Sequence, residues 1–122
     1  MLVSAGVLLS VFAIWSLVGT QALFAARDAV ARKDWSAADE HGRRARALLF
    51  WSVEPDVVLG DAAAGSGDRE GALHAYRDAV AADPNNWVTW LRLAQVARGP
   101  ERAAAYDRVR QLNPREEGLP GE

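Results

Sequence analysis

The amino-acid sequence predicts an all-α protein in which an N-terminal transmembrane helix precedes a short solenoid of antiparallel helix pairs. Two observations carry this prediction. No Asp, Glu, Lys or Arg occurs before Arg27, so every such charge falls in the remainder of the chain. Beyond that point, small residues and helix-capping residues recur with a constant repeat period of about 34 positions. The alternating pattern typical of a strand is absent from the sequence.

The charge-free segment, residues 1–26, is long enough to cross a bilayer. As a helix rising about 1.5 Å per residue it extends about 39 Å, more than a hydrocarbon core of about 30 Å. Two other interpretations stay open. A signal peptide is also apolar, and Thr20-Gln21-Ala22 offers a small-residue cleavage site, but the basic region that normally begins such a peptide is missing. A helix buried in a larger assembly would be apolar as well.

The repeat is visible in four pairs of positions that share this one spacing: Asp34 and Asp68, Ala38 and Ala72, Ala45 and Ala79, Ser52 and Asn86. Small alanines allow close approach of neighbouring helices, and Asp, Ser and Asn are favoured at helix N-termini. The pattern predicts helices over residues 2–32, 35–49, 53–64, 69–82, 87–98 and 100–112.

The most complete copy covers residues 53–86, and its characteristic residues are Leu59-Gly60 in the first helix, then Ala72, Tyr76, Ala79 and Asp83-Pro84. This pattern resembles the tetratricopeptide repeat. The next copy has Trp90-x-x-Leu93-Ala94 and ends at Asn113-Pro114, four residues early. The preceding copy is fainter, and its first helix overlaps the apolar segment. About two and a half copies are therefore expected over residues 27–114, followed by a polar tail, residues 115–122.

The resemblance implies a concave groove lined by the first helix of each pair. Helix phase places six residues on that face: Val57, Asp61, Leu91, Arg92, Gln95 and Arg98. A groove of this kind suits a peptide or an amphipathic helix from another protein. The implied function is a protein-interaction scaffold, tethered to a membrane by residues 1–26.

A narrower resemblance supplies an alternative. The turn Ser52-Val53-Glu54-Pro55 and the helix with Trp87 and Trp90 are similar to the C-terminal tails of bacterial O-antigen ligase and polymerase-type membrane proteins. Some of those tails consist of a last transmembrane helix that runs into helical repeats. The chain would then be an accessory module of a glycan-assembly protein. The many-helix catalytic part is not in this sequence, so glycosyl transfer is not implied.

Catalytic, metal and cofactor sites are not expected. The chain has no Cys, which excludes disulfides and thiolate ligands. Neither His41 nor His74 has a second histidine or a patterned carboxylate beside it, so both are interpreted as solvated or packing residues. A net charge of −2 without a strongly basic face argues against nucleic acid as a partner.

The basic and aromatic residues near the apolar segment allow two interpretations. Arg43-Arg44-Ala45-Arg46 could contact anionic lipid headgroups or form a solvated helix face. Trp35 and Trp51 could meet a neighbouring helix or the membrane interface. Lys and Arg flank the segment only on its C-terminal side, which predicts that the repeats lie in the cytoplasm.

Overall fold

The computed structural model describes residues 2–115 and 118–119, with the backbone alone for residues 2 and 3. Met1 of the predicted span and residues 116, 117 and 120–122 of the predicted tail lie outside the described residues. Over the described ranges the chain forms six helices and no strand: α1 Leu2–Ala31, α2 Trp35–Leu48, α3 Glu54–Gly65, α4 Arg69–Ala82, α5 Trp87–Val96 and α6 Gly99–Leu112. The predicted all-α fold is confirmed.

The six helices form three consecutive pairs. Each helix packs on the next one along the chain, and α1 also packs on α3. Because the connecting turns are short, neighbouring helices run antiparallel. One core lies between the second and third pairs, and its buried residues are Ala72, Leu73, Tyr76, Val80, Leu93, Ala94, Ala97 and Ala105. A second core joins α1 to α2 and α3 through Ala22, Leu23, Ala26, Ala45, Leu49 and Val58.

Helix α1 consists of two halves with different surroundings. Residues 4–15 are all exposed, whereas Ala26 and Ala29 are completely buried by the helices that follow. Close packing begins at Gly19, where an added Cβ would lie 2.7 Å from Cδ2 of Leu49. The helix passes through residue 26, the predicted domain boundary, without a break. Its second half therefore serves as the first helix of the first pair.

The turns inside the first two pairs share their local chemistry. Asp34 and Asp68 cap the second helices by accepting hydrogen bonds from the backbone N–H groups of Ala37 (3.2 Å) and Gly71 (2.9 Å). The residue before each cap has a positive φ, 59° at Lys33 and 86° at Gly67. Only glycine adopts that conformation without steric cost, so the first turn is strained and the second is not.

Candidate functional site

The six predicted groove residues divide between two neighbouring surfaces. Val57 and Asp61 lie on α3, and both are partly buried. Helix α5 contributes partly buried Leu91 and Arg92 and exposed Gln95. Exposed Arg98 is the N-cap residue of α6. The side chains of Asp61 and Arg92 are in contact, whereas Gln95 lies beside Arg98 in a separate hollow.

On the predicted groove face, Asp61, Tyr76 and Arg92 form a polar cluster. The Tyr76 hydroxyl donates a hydrogen bond to Oδ1 of Asp61 at 2.6 Å. Nε of Arg92 lies 3.4 Å from the same oxygen, and this nitrogen is buried without a hydrogen-bond partner. The guanidinium is thus held by charge rather than by a directional bond, and it links the first helices of two successive pairs.

Burial controls the protonation of this cluster. Burial raises the pKa of Asp61 above its ordinary value of 3.8, while the hydrogen bond from Tyr76 and the charge of Arg92 act in the opposite direction. The pKa of Tyr76 is also raised, first by burial and then by the hydrogen bond to Asp61. The tyrosine hydroxyl therefore keeps its proton at neutral pH and stays a donor to the carboxylate.

A basic hollow adjoins the groove where α5 ends. Gln95 and Arg98 line it together with Arg69 of α4 and Arg102 of α6. Nε of Arg69 donates to the carbonyl of Val96 at 2.7 Å. Arg102 donates from Nε to the carbonyl of Ala94 at 3.1 Å and from Nη2 to that of Gln95 at 3.4 Å.

These guanidinium groups satisfy the free carbonyls at the C-terminus of α5, where positive charge is favoured. Helix α5 accordingly ends at Val96, two residues before the predicted end. Sequence reasoning did not select Arg69 or Arg102, because both lie on second helices and reach the hollow only through their long side chains.

The groove positions continue onto α1. Leu23, Val57 and Leu91 are successive equivalents in the repeat, and so are Arg27, Asp61 and Gln95. In the first pair, exposed Arg27 forms an ion pair with Glu54. The charge at this register therefore changes from positive to negative to neutral along the three pairs.

Three of the remaining candidate residues, Trp35, Arg43 and Arg46, have structural partners. The Trp35 ring covers Gly65 of α3, where an added Cβ would lie 2.5 Å from the ring, so this tryptophan packs on a neighbouring helix. Arg43 pairs with Asp39 at 2.8 Å, and Arg46 lies 3.3 Å from the Asp56 carboxylate. Within the described part of the chain, His, Asp and Glu side chains do not form a group that could hold a metal ion.

Comparison with known protein families gives a match in the middle of the chain. Residues 53–96 match the tetratricopeptide repeat family model. The matched stretch includes α3, α4 and α5, and hence both helices that carry Asp61 and Arg92. It supports the predicted tetratricopeptide repeat in the part of the chain where the sequence pattern was most complete. A search of curated proteins found no match.

The membrane-spanning prediction rests on α1. Ser4–Ala31 is one helix that is long and apolar enough to cross a membrane by length and composition. Signal sequences and core helices of soluble proteins meet the same criterion. Large apolar side chains are exposed on every side of this helix, because residues close together in a helix point in different directions around its axis. They are Val7, Leu8, Leu9, Val11, Phe12, Ile14 and Leu17.

Proposed function

We propose that this chain is a non-catalytic, membrane-tethered tetratricopeptide repeat scaffold that holds a protein or peptide in the groove between α3 and α5. The observation that carries the proposal is the Asp61–Arg92 ion pair, which connects the first helices of two successive pairs inside the matched residues. Tetratricopeptide repeats generally bind other proteins, so a built polar cluster on this face favours the same use here.

The chemistry of the groove favours an amphipathic segment with acidic residues. Half-buried Val57 and Leu91 flank the polar cluster and provide apolar contact area. The Arg92 side chain is 37% exposed, so the accessible part of its guanidinium could donate to a carboxylate or a backbone carbonyl of the ligand. The neighbouring hollow with Arg69, Arg98 and Arg102 would favour a second negative group.

Site-specific photo-crosslinking in native membranes tests the groove. A photoreactive residue at Leu91 should capture a partner polypeptide, whereas the same residue at Ala81, exposed on the second helix α4, should not. Arg92→Glu should then abolish the crosslink from position 91, because the charge that attracts the ligand is reversed. Equal capture from positions 91 and 81, or capture from neither, would show that the groove is not the binding face.

Helix α1 is the proposed tether. A helix that is apolar on every side needs an apolar environment on every side, which a bilayer provides. The chain should fractionate with membranes and resist alkaline carbonate, and recovery in the soluble fraction would refute the tether. Because Arg27, Arg32 and Lys33 flank the span on its C-terminal side, the repeats are proposed to face the cytoplasm. Digestion of the repeats by protease added outside intact spheroplasts would contradict that orientation.

A second candidate is an accessory module of a membrane glycan-assembly protein. The observation that favours it is the continuity of α1. The exposed apolar first half of this helix continues into the first helix pair without a linker. Such a joint would couple a span rigidly to a soluble module. Crosslinking from Leu9, on the exposed half of α1, to a multi-span membrane protein would favour this candidate. Crosslinking from that position to lipid alone would favour the independent tether.

A further inference from the structure

The loop between α2 and α3 exposes two large aromatic side chains. Phe50 is 79% exposed and Trp51 is 49% exposed. The Trp51 ring lies 5.0 Å from Phe50 and 5.5 Å from Phe12 of α1, measured between ring centroids. Nε1 of Trp15 donates to the carbonyl of Leu48 at 2.8 Å. The loop is therefore fastened to the exposed half of α1.

The repeat itself does not require these aromatic residues. The equivalent loop of the next copy lies between α4 and α5, and has Pro84 and Asn85 at the positions of Phe50 and Trp51. Both residues of the later loop are exposed, as expected for a turn in water. The aromatic replacement occurs only in the copy whose loop touches the apolar helix. The environment of that helix is therefore the feature that would explain why aromatic residues occupy positions 50 and 51.

The loop and the helix form one apolar surface. Leu8, Val11, Phe12, Trp15, Phe50 and Trp51 line a single concavity. The surface is continuous with residues 4–15 of α1, which are exposed around the whole circumference of the helix. A partner protein or a second copy would cover one side of such a helix, whereas lipid covers all sides. The occupant that fits both parts of the surface is lipid acyl chain.

The depth of the loop follows from the helix geometry. A hydrocarbon core of about 30 Å takes about 20 helical residues, and any such window within the apolar run 2–26 includes Phe12 and Trp15. Both residues lie at least about 7 Å inside either end of the window, at about 1.5 Å per residue. If α1 spans the membrane, the loop that touches these residues must be submerged with them.

Three backbone N–H groups in and beside the loop have internal hydrogen-bond partners. The N–H of Leu49 donates to the carbonyl of Ala45 at 2.7 Å, and the N–H of Ser52 donates to the carbonyl of Leu49 at 2.9 Å. The hydroxyl of Ser52 accepts from the N–H of Glu54 at 3.2 Å. Backbone groups without partners are costly in lipid, so this pairing lowers the cost of inserting the loop.

The polar edge of the surface matches a headgroup layer. Arg44 on α2 is exposed and lines a hollow with Val18 and Gln21 of α1, beyond the aromatic contacts and towards the repeats. A guanidinium at this level can pair with lipid phosphate. From the N-terminal end of α1 towards the repeats, the molecule thus presents the apolar helix with the aromatic loop first, Arg44 next, and the polar helix pairs last.

We propose that the Phe50–Trp51 loop inserts into the bilayer beside α1, entering from the side that faces the repeats. The inference rests on the proposed membrane tether. Two attachment points would hold the first helix pair against the bilayer, so the groove of α3 and α5 would face a fixed direction relative to the membrane surface.

Depth-dependent quenching tests the insertion, and the absence of native Cys makes single-cysteine labelling direct. Leu9→Cys, Phe50→Cys and Asn85→Cys are made separately in the full chain, labelled with an environment-sensitive fluorophore and reconstituted into phosphatidylcholine–phosphatidylglycerol vesicles. All three native side chains are exposed, so the fold should be kept, and helical circular dichroism checks this. Quenching is measured with nitroxide-labelled lipids and with iodide in the water.

The expected result is at least twofold stronger lipid quenching at positions 9 and 50 than at position 85, with the reverse order for iodide. Lipid quenching at position 9 but not at position 50 would overturn the insertion and leave the tether standing. Absence of lipid quenching at both 9 and 50 would overturn the tether as well. Equal lipid quenching at 50 and 85 would mean that the whole repeat region lies on the membrane, which also overturns a specific insertion of this loop.

Discussion

The first and second helix pairs use the same repeat positions with different side chains. Ala38 and Ala72, which are equivalent in the repeat, are both completely buried. The pairs differ at the position of Tyr76, which the first pair fills with Gly42. An added Cβ on Gly42 would lie 2.8 Å from Cδ2 of Leu59, so a leucine of the next pair occupies the space that a tyrosine ring would take.

The ring of Tyr76 in turn leaves no room for a side chain at position 60 of the neighbouring helix α3. An added Cβ on Gly60 would lie 2.3 Å from Cε1 of this ring, whereas the first pair, without the ring, has fully buried Ala26 at the same register. Of these two pairs, the second thereby gains a hydroxyl beneath the predicted groove face, where it donates a hydrogen bond to Asp61. The difference shows that equivalent repeat positions form an apolar helix contact in the first pair and a polar cluster in the second.

The largest expected effect comes from enlarging the shared alanine. Ala72→Leu and Ala38→Leu should each lower the free energy of unfolding by about 1–3 kcal/mol, because a side chain is forced into a filled helix interface. Ala81→Leu, at an exposed site on α4, is the control and should change little. Urea unfolding of the full chain in detergent measures all three. A cost at Ala72 alone would mean that the first pair is not packed as a repeat.

The two glycines should respond in opposite directions. Gly60→Ala should destabilise by about 1–2 kcal/mol, because the overlap with the rigid Tyr76 ring outweighs the gain in helix propensity. Gly42→Ala meets only the flexible end of Leu59 and should range from neutral to about 1 kcal/mol stabilising. Thermal melts followed by circular dichroism compare the variants. Similar destabilisation by both would remove the proposed link between Gly60 and the tyrosine.

The turns offer a smaller test of the same comparison. Gly67→Ala should cost about 1 kcal/mol, since the backbone there has φ of 86°. Lys33→Gly, at the equivalent turn, should relieve strain and stabilise by up to about 1 kcal/mol. Denaturant midpoints of the two variants should therefore move in opposite directions. Movement in the same direction would show that the two turns are not equivalent.

The smallest effect concerns pH and the groove carboxylate. The folded-state pKa of Asp61 is above its ordinary value of 3.8, so its contribution to stability is complete below about that pH and is lost as pH rises through the folded pKa. Relative to Asp61→Asn, the native chain should lose stability as the pH rises from about 3.8 through the raised folded-state pKa. The equivalent residue of the first pair is Arg27. A relative gain of stability over that interval would contradict the effect of burial at Asp61.

The helices could be predicted from sequence because their signals are local. Capping residues such as Asp34, Asp68 and Asn86 mark helix starts within one turn, and a charge-free run identifies α1 without reference to the rest of the chain. The ends that depend on distant side chains were less predictable. Helix α5 ends at Val96, whose carbonyl accepts a hydrogen bond from Arg69, far earlier in the chain.

A groove face could be predicted from sequence, but the contacts among its side chains could not. The repeat period predicts Asp61 and Gln95 on one face. In the structure, Asp61 contacts Arg92, whereas Gln95 lines a separate hollow with Arg98. The period gives no information on which of these residues meets Tyr76 or Arg92. Likewise, Phe50 was recognisable as a departure from the expected proline, but its contact with α1 through Trp51 was not.

The all-α class, most helix bounds and the repeat register follow from the order of residues alone, because hydrophobic period, capping chemistry and charge distribution act over a few residues. The packed chain was needed to show that α1 is shared between an exposed apolar half and the first helix pair, and that Asp61, Tyr76 and Arg92 converge. The physical reason is that side-chain contacts between helices depend on how each helix is rotated against its neighbours. Packing of the whole chain sets that rotation, and a repeat period alone does not.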